Sequence, residues 1–323
     1  MKKIPVVIDC DPGVDDALAL ALALASPELE VLAITAVRGN VPAGAAFRNA
    51  RRLVGWLGGH LPAARALPPV HPGGSRPLGK GRVDWKASAA IHGPEGLGRL
   101  FSGARRPPRP AGRPGEGAEE ALLAHARAWG RRLTVVALGP LTNLARVHRR
   151  DPSALPGVGR IVLMGGAARM PGNVTPAAEF NVHCDPEAAE AVFASGARVT
   201  MVGLDVTRRA FLPSRMLAGG GSFRRALRDL TGIYAGFSLR RRGRDGVTLH
   251  DPLALAAAIR PGLLGCERLP VRVECGRGPA RGMTVVDLRP EAPRGNVEVA
   301  LDVDERGFLR FFLERLRSYH GWA

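Results

Sequence analysis

The sequence predicts a single α/β domain with a mostly parallel central sheet, helices on both faces and a small antiparallel element. Two observations carry that expectation. Apolar runs rich in Val, Ile and Leu alternate with helical patterns over most of the chain, as in a parallel sheet covered on both sides. The first run ends in Asp9-Cys10-Asp11-Pro12-Gly13-Val14-Asp15-Asp16, and open α/β sheets bind ligands at the carboxyl ends of their strands.

Taken in order, the apolar run at 4–8 predicts the first strand and 17–25 the first helix. Strands follow at 31–37, 133–138, 161–164 and 199–202, separated by helical patterns at 43–57, 119–129, 141–148 and 186–194. Asp185 before Pro186, and Asp251 before Pro252, read as an N-cap with proline at the first helical position. The runs at 271–275, 283–287 and 297–303 have short connections, which predicts an antiparallel element before a final helix near 305–318. Between 72 and 117 the pattern dissolves into Gly, Pro and Arg, which predicts a mobile or disordered insertion in the one domain spanning 1–323. Within it, Ile91-His92-Gly93-Pro94-Glu95-Gly96-Leu97-Gly98 suits either a lid closing over a ligand or a plain surface loop.

With 323 residues and 46% hydrophobic content, the chain can bury a large core. No apolar stretch is long enough to span a membrane, and the first residues lack a signal-peptide core, so a cytoplasmic protein with no membrane partner is expected. Cys10, Cys184, Cys266 and Cys275 are widely spaced, which fits free thiols in a reducing compartment. A formal net charge of +17 invites a nucleic-acid partner. The basic residues are scattered in short runs, aromatics are only 5%, and no nucleic-acid module is present, so none is expected.

Four aspartates within eight residues repel one another and need a cation, a proton or a bound polyol. Helix capping by Asp11, with Asp15 and Asp16 in the first turn, accounts for part of the cluster but leaves Asp9 at the buried end of a strand unexplained. A second polar cluster, Gly172-Asn173-Val174-Thr175-Pro176-Ala177-Ala178-Glu179-Phe180-Asn181, offers the donors and acceptors that vicinal sugar hydroxyls require. A polar turn leading to Pro186 explains its Asn residues but not Glu179. The third, His250-Asp251-Pro252, is explained by capping alone, yet it also puts a carboxylate beside a histidine able to donate a proton near neutral pH. Carboxylates and carbonyls without a Cys or His ligand set select a hard cation, Ca²⁺ before Mg²⁺. No zinc spacing, GxGxxG or Walker loop is present.

In combination, DCDPGVDDALAL at 9–20, GNV at 39–41, IHGPEGLG at 91–98, LGPLTNLA at 138–145, MGGA at 164–167, GNVTPAAEFNVHCDPEAA at 172–189, VGLDVT at 202–207 and HDPLALA at 250–256 resemble the calcium-dependent, inosine-uridine-preferring nucleoside hydrolases. The resemblance implies hydrolysis of the N-glycosidic bond of ribonucleosides to ribose and free base, with a Ca²⁺ cofactor, in a homodimer or homotetramer. It implies metal ligation by Asp11, Asp16, Asp251 and the backbone carbonyl of Leu138, with Asp11 also the general base. Asp15, Asn173, Glu179 and Asn181 would bind the ribose hydroxyls, with Asn40 and Met164 lining the sugar and water site. His250 would be the acid for the leaving base, joined by His92, and Asp9 would stand behind the ligands. His250 and Asn40 look like the inosine-uridine or pyrimidine type, whereas Arg240-Arg241-Arg242 stand where pyrimidine-preferring relatives carry a His.

Two other readings start from the same residues. Asp9-Cys10-Asp11 after a first strand superficially resembles the Mg²⁺-dependent phosphatases with an aspartyl nucleophile, although Pro12-Gly13 fits poorly and no matching Lys follows. A non-catalytic nucleoside-binding protein on the same fold is the other.

Overall fold

The structure, a computed structural model, describes residues 3–62, 66–81, 83–102 and 116–323. Its strands are β1 (Ile4–Cys10), β2 (Leu29–Ala36), β3 (Val70–His71), β4 (Thr134–Ala137), β5 (Arg160–Met164), β6 (Val199–Val202), β7 (Phe211–Pro213), β8 (Gly246–Thr248), β9 (Leu264–Leu269), β10 (Val271–Val273), β11 (Thr284–Val286) and β12 (Val297–Val303). Eight of them form the central sheet in the order β3-β2-β1-β4-β5-β6-β12-β9. Every pairing in it is parallel except that of β9 with β12. The chain builds outward from β1 to β2 and β3 and then crosses to β4, so the strand order reverses between β1 and β4. Crevices form at such reversals.

Side chains of β1 alternate between two cores, as a strand buried on both faces requires. Val6, Ile8 and Cys10 join one apolar cluster with the helices Val14–Ala25 and His250–Ile259, and Val7 joins the other with Thr142–Arg150 and Ala118–Trp129. Val14–Ala25 is buried along its whole length, and it packs beside His250–Ile259. Both helices are rich in Ala and Leu, so a polar first turn on either is carried into the interior.

The predicted strands and helices of the first two hundred residues all form, with ends displaced by a few residues. The antiparallel element differs. β10 and β11 make the expected hairpin, but β12 joins the central sheet, parallel to β6. Its other edge is covered by β9, a strand the sequence does not announce because its four middle residues are exposed and carry little apolar signal. A second small ribbon pairs β7 with β8. Within 72–102 the chain also departs from a structureless insertion. Asp84 accepts from the N–H groups of Lys86 and Ala87 and starts the helix Trp85–His92. The Pro- and Arg-rich stretch at 103–115 lies outside the described residues. All four cysteines are free. No helix among the described residues is long and apolar enough to cross a membrane.

Candidate active site

The carboxyl end of β1 delivers Asp9 and Asp11 into the crevice beside β4, and the helix Val14–Ala25 brings Asp15 and Asp16 back over them. Asp9 Oδ1 accepts from Thr35 Oγ1 at 2.5 Å and Asn143 Nδ2 at 2.7 Å, while its Oδ2 is buried without a partner. Burial pushes this carboxyl up to about 7. Asp11 Oδ2 accepts the Asn40 N–H at 2.6 Å. Asp16 accepts the N–H groups of Gly13 at 2.8 Å and Asp11 at 3.1 Å. The helix is therefore capped backwards by Asp16 from its first turn, not by Asp11 as a capping reading supposes. Asp251 is likewise no N-cap: the helix begins one residue earlier, at His250, and Asp251 sits inside the first turn without a capping bond.

Among the described residues, Asp15, Asp16 and Asp251 each place a carboxylate oxygen within 4.8 Å of the others. Asp11 stands outside that triangle, yet its charge is felt by Asp251 and it feels Asp15 and Asp16. Burial pushes all four carboxyls up, Asp11 and Asp251 well above the usual range and Asp15 and Asp16 to about 6, with mutual repulsion adding to Asp11, Asp16 and Asp251. Asp15 Oδ1 is buried with no hydrogen-bond partner. An oxygen-only donor set with an unpartnered carboxylate oxygen fits a hard divalent cation. The nearby nitrogens are engaged elsewhere, His92 Nδ1 by Val14 N–H at 3.1 Å and His250 Nδ1 by Thr207 Oγ1 at 2.8 Å.

Above the carboxylates opens a cavity of about 800 Å³. Ten of the predicted residues line it: Asp15, Asn40, His92, Leu138, Met164, Asn173, Glu179, Asn181, His250 and Asp251. Asp11 and Asp16 lie beneath, 1% and 0% exposed. Glu179 caps the short helix Phe180–Cys184 by accepting from Asn181 and Val182 N–H, and it also accepts from Gly166 N–H at 3.0 Å. Turn chemistry thus does account for Glu179, which the sequence does not suggest, although its buried carboxyl, pushed up to about 6, still faces the cavity. Asn181 Nδ2 donates to the carbonyls of Leu138 at 2.7 Å and Met164 at 3.0 Å, joining three predicted residues in one network. Asn173 is exposed at the mouth, its Oδ1 accepting from Phe180 N–H.

His92 is buried at the end of its helix, and that helix is fastened to the acidic loops. Trp85 Nε1 donates to Gly39 O at 3.2 Å, Ser88 Oγ to Asn40 O at 2.7 Å, and His92 Nδ1 accepts from Val14 N–H. The following turn is fixed as well, with Arg99 N–H donating to Asp229 O and Gly98 at φ +55° packed against Leu230 O. The segment forms a wall of the cavity and is more than a plain surface loop. Burial lowers His92 to about 4. Burial, with the charges of Arg242 and Arg208, lowers His250 to about 3, so both imidazoles are neutral near pH 7.

The sequence gives no direct signal for Thr35, which looks like any strand residue, or for Ser88. Asn143 and Thr207 lie inside the LGPLTNLA and VGLDVT motifs, where a partner for Asp9 and for His250 is in retrospect the reason for a polar residue. The far side of the cavity is walled by Tyr234, Phe237, Arg241 and Arg242 of the helix Ser222–Arg242. Tyr234 is 7% exposed and lines the cavity.

Known proteins share this sequence pattern and fold. The family model described as inosine-uridine preferring nucleoside hydrolase matches residues 6–310. The chain is 38% identical to the pyrimidine-specific ribonucleoside hydrolase RihA of Salmonella schwarzengrund over 325 aligned positions, covering 98% of this chain and 99% of that protein. Among solved structures, the purine-preferring ribonucleoside hydrolase from Gardnerella vaginalis superposes with a TM-score of 0.85 at 34% identity, covering 97% of this chain and 98% of the other. The plant nucleoside hydrolase PpNRh1 gives 0.84 at 33% identity over the same shares.

Proposed function

Because the chain belongs to the inosine-uridine-preferring nucleoside hydrolases and hydrolyses the N-glycosidic bond of ribonucleosides, we propose that it acts on inosine- and uridine-type nucleosides through a Ca²⁺ site at the carboxyl end of β1. The observation that carries this reading is the set of buried carboxylates, two of them with an unpartnered oxygen, under a cavity walled by Glu179 and Asn181. Asp11, Asp16, Asp251 and the Leu138 carbonyl would hold the ion, and when bound it supplies Lewis-acid activation of the attacking water and offsets carboxylate repulsion.

The remaining work falls to the chain's own groups. Asp11, oriented by the Asn40 N–H, accepts the water's proton. Asp15, which lines the cavity, takes a ribose hydroxyl, and Glu179 and Asn181 take the others. Three backbone N–H bonds hold Glu179 still, so the site is arranged before substrate arrives. As positive charge grows on the sugar in an oxocarbenium-like transition state, the same carboxylates stabilise it. His250, neutral and oriented by Thr207, presents Nε2 to the departing base as a hydrogen-bonding group. Homo-oligomerisation, as a dimer or tetramer, and a cytoplasmic location complete the proposal.

The test is release of ribose and free base from inosine and uridine by the purified chain and by Asp11→Ala. Loss of most turnover in the variant is expected. Near-normal turnover overturns Asp11 as the base, and phosphate release from monophosphates with inert nucleosides would favour the phosphatase reading.

A further inference from the structure

The cavity is lined by both signs of charge. It carries the carboxylates of Asp15, Asp84, Glu179 and Asp251, and it also carries Arg241 and Arg242 at the end of the helix Ser222–Arg242. No carboxylate among the described residues pairs with either arginine. The charge of Arg242 reaches Tyr234, His250 and Arg208. Arg208 is itself held in place, its Nη2 donating to Gly172 O at 2.9 Å. A bland explanation exists, since cations in the last turn of a helix complement its dipole. It applies equally to Arg240, which instead faces a separate pocket with Arg99, Arg228 and Asp229. Only Arg241 and Arg242 turn toward the substrate cavity.

We infer that Arg242, backed by Arg208, stabilises the departing base as an anion and so selects oxo bases over amino bases. The inference rests on the function proposed above and adds its leaving-group chemistry. The water oxygen bonds to C1′ while the C1′–N bond breaks, its electron pair passing to the base nitrogen. Asp11 keeps the water proton. The base anion regains a proton from solvent, Asp11 returns its own, and ribose and neutral base leave. Uracil and hypoxanthine spread the transient charge onto carbonyl oxygens, the groups a guanidinium binds best. Cytosine has an amino group in place of the C4 carbonyl of uracil, and adenine one in place of the C6 carbonyl of hypoxanthine, so selection at that position cuts across the pyrimidine and purine classes.

The experiment compares wild type, Arg242→Ala, Arg242→Lys and Arg240→Ala on uridine, inosine, cytidine and p-nitrophenyl β-ribofuranoside, whose phenolate leaves with little help. For uridine and inosine, Arg242→Ala should lower kcat and kcat/KM together by about 10- to 100-fold, the loss of one transition-state contact at an exposed wall. The loss with the p-nitrophenyl riboside should be about tenfold smaller. The preference of wild type for uridine over cytidine should narrow in the same variant. Arg242→Lys should recover part of the rate, and Arg240→Ala should match wild type. Equal losses on all substrates, or a change confined to KM, overturn the inference while leaving the proposed function standing. Failure of wild type to release base from uridine and inosine overturns both.

Discussion

Replacing Gly39 by alanine tests whether the position of Asp11 is set by backbone packed against it. A Cβ at residue 39 would lie 1.9 Å from Asp11 Oδ2, 2.7 Å from its Cγ and 2.8 Å from Pro140 Cδ. Real Cβ contacts do not fall below 3.0 Å, so the carboxylate and the loop must separate by about 1.1 Å, the difference between that limit and the 1.9 Å approach. The same movement stretches the 2.6 Å bond from Asn40 N–H that orients Asp11. A displacement of about 1 Å in a reacting group costs on the order of 100-fold. The assay is steady-state kcat on inosine, with thermal unfolding as the check on folding. Gly44→Ala is the control, because its Cβ would meet only Arg48 Nη1 at an ordinary 3.5 Å, and there alanine should stabilise the helix by about 0.4–1 kcal/mol. A folded Gly39→Ala protein with kcat within about threefold of wild type would refute the argument that close backbone approach places Asp11.

Chelation by EGTA should abolish turnover and added Ca²⁺ restore it; at a cation concentration 100 times Kd the ion adds about 2.7 kcal/mol of stability, so the melting temperature should fall with the activity, and an unchanged melting curve would speak against a bound cation. Glu179→Ala removes the acceptor for three backbone N–H groups and should cost about 1–3 kcal/mol in urea unfolding. The same variant should narrow the preference for ribo- over 2′-deoxyribonucleosides, and an unchanged ratio would remove Glu179 from the sugar contacts. Phe223, stacked between Trp56 at 5.2 Å and Tyr319 at 4.4 Å, is fully buried, and Phe223→Ala should lose about 3–5 kcal/mol by the same unfolding measurement without altering substrate preference.

Much of the sheet is legible because strands such as β1 and β4 are buried on both faces and read as uninterrupted apolar runs. β9 is not, because an edge strand with exposed middle residues has no such pattern. For β12, the short connections suggest a hairpin partner, while its actual neighbour β6 lies nearly a hundred residues earlier, a pairing that local pattern does not encode. The carboxylates of the site are legible for the opposite reason. Charge is out of place at a strand end or in a buried Ala/Leu helix, so Asp9, Asp11 and Asp16 announce themselves, whereas Asp251, which capping alone explains, is picked out only together with the other clusters. Which of them caps what does not follow, since Asp11, Asp16 and Asp251 all stand within reach of a helix start and only the backbone trace shows that Asp16 takes the bonds. The arginine wall is invisible for a simpler reason. In a chain with 46 Lys and Arg residues, nothing local marks the two that turn inward.

The helix Trp85–His92 divides its labour by residue. Trp85, Ser88 and His92 recur at helical spacing and bond to the loops that carry Asn40 and the start of the helix Val14–Ala25. Ala87 and Ile91, also four residues apart, look into the cavity and make no such bonds. Variation at 87 and 91 can therefore reshape the room for a base while the frame holding the reactive groups stays where it is. A lineage, or an engineer, changing substrate range has in those two positions a place to experiment that leaves the fastening bonds of Trp85, Ser88 and His92 intact.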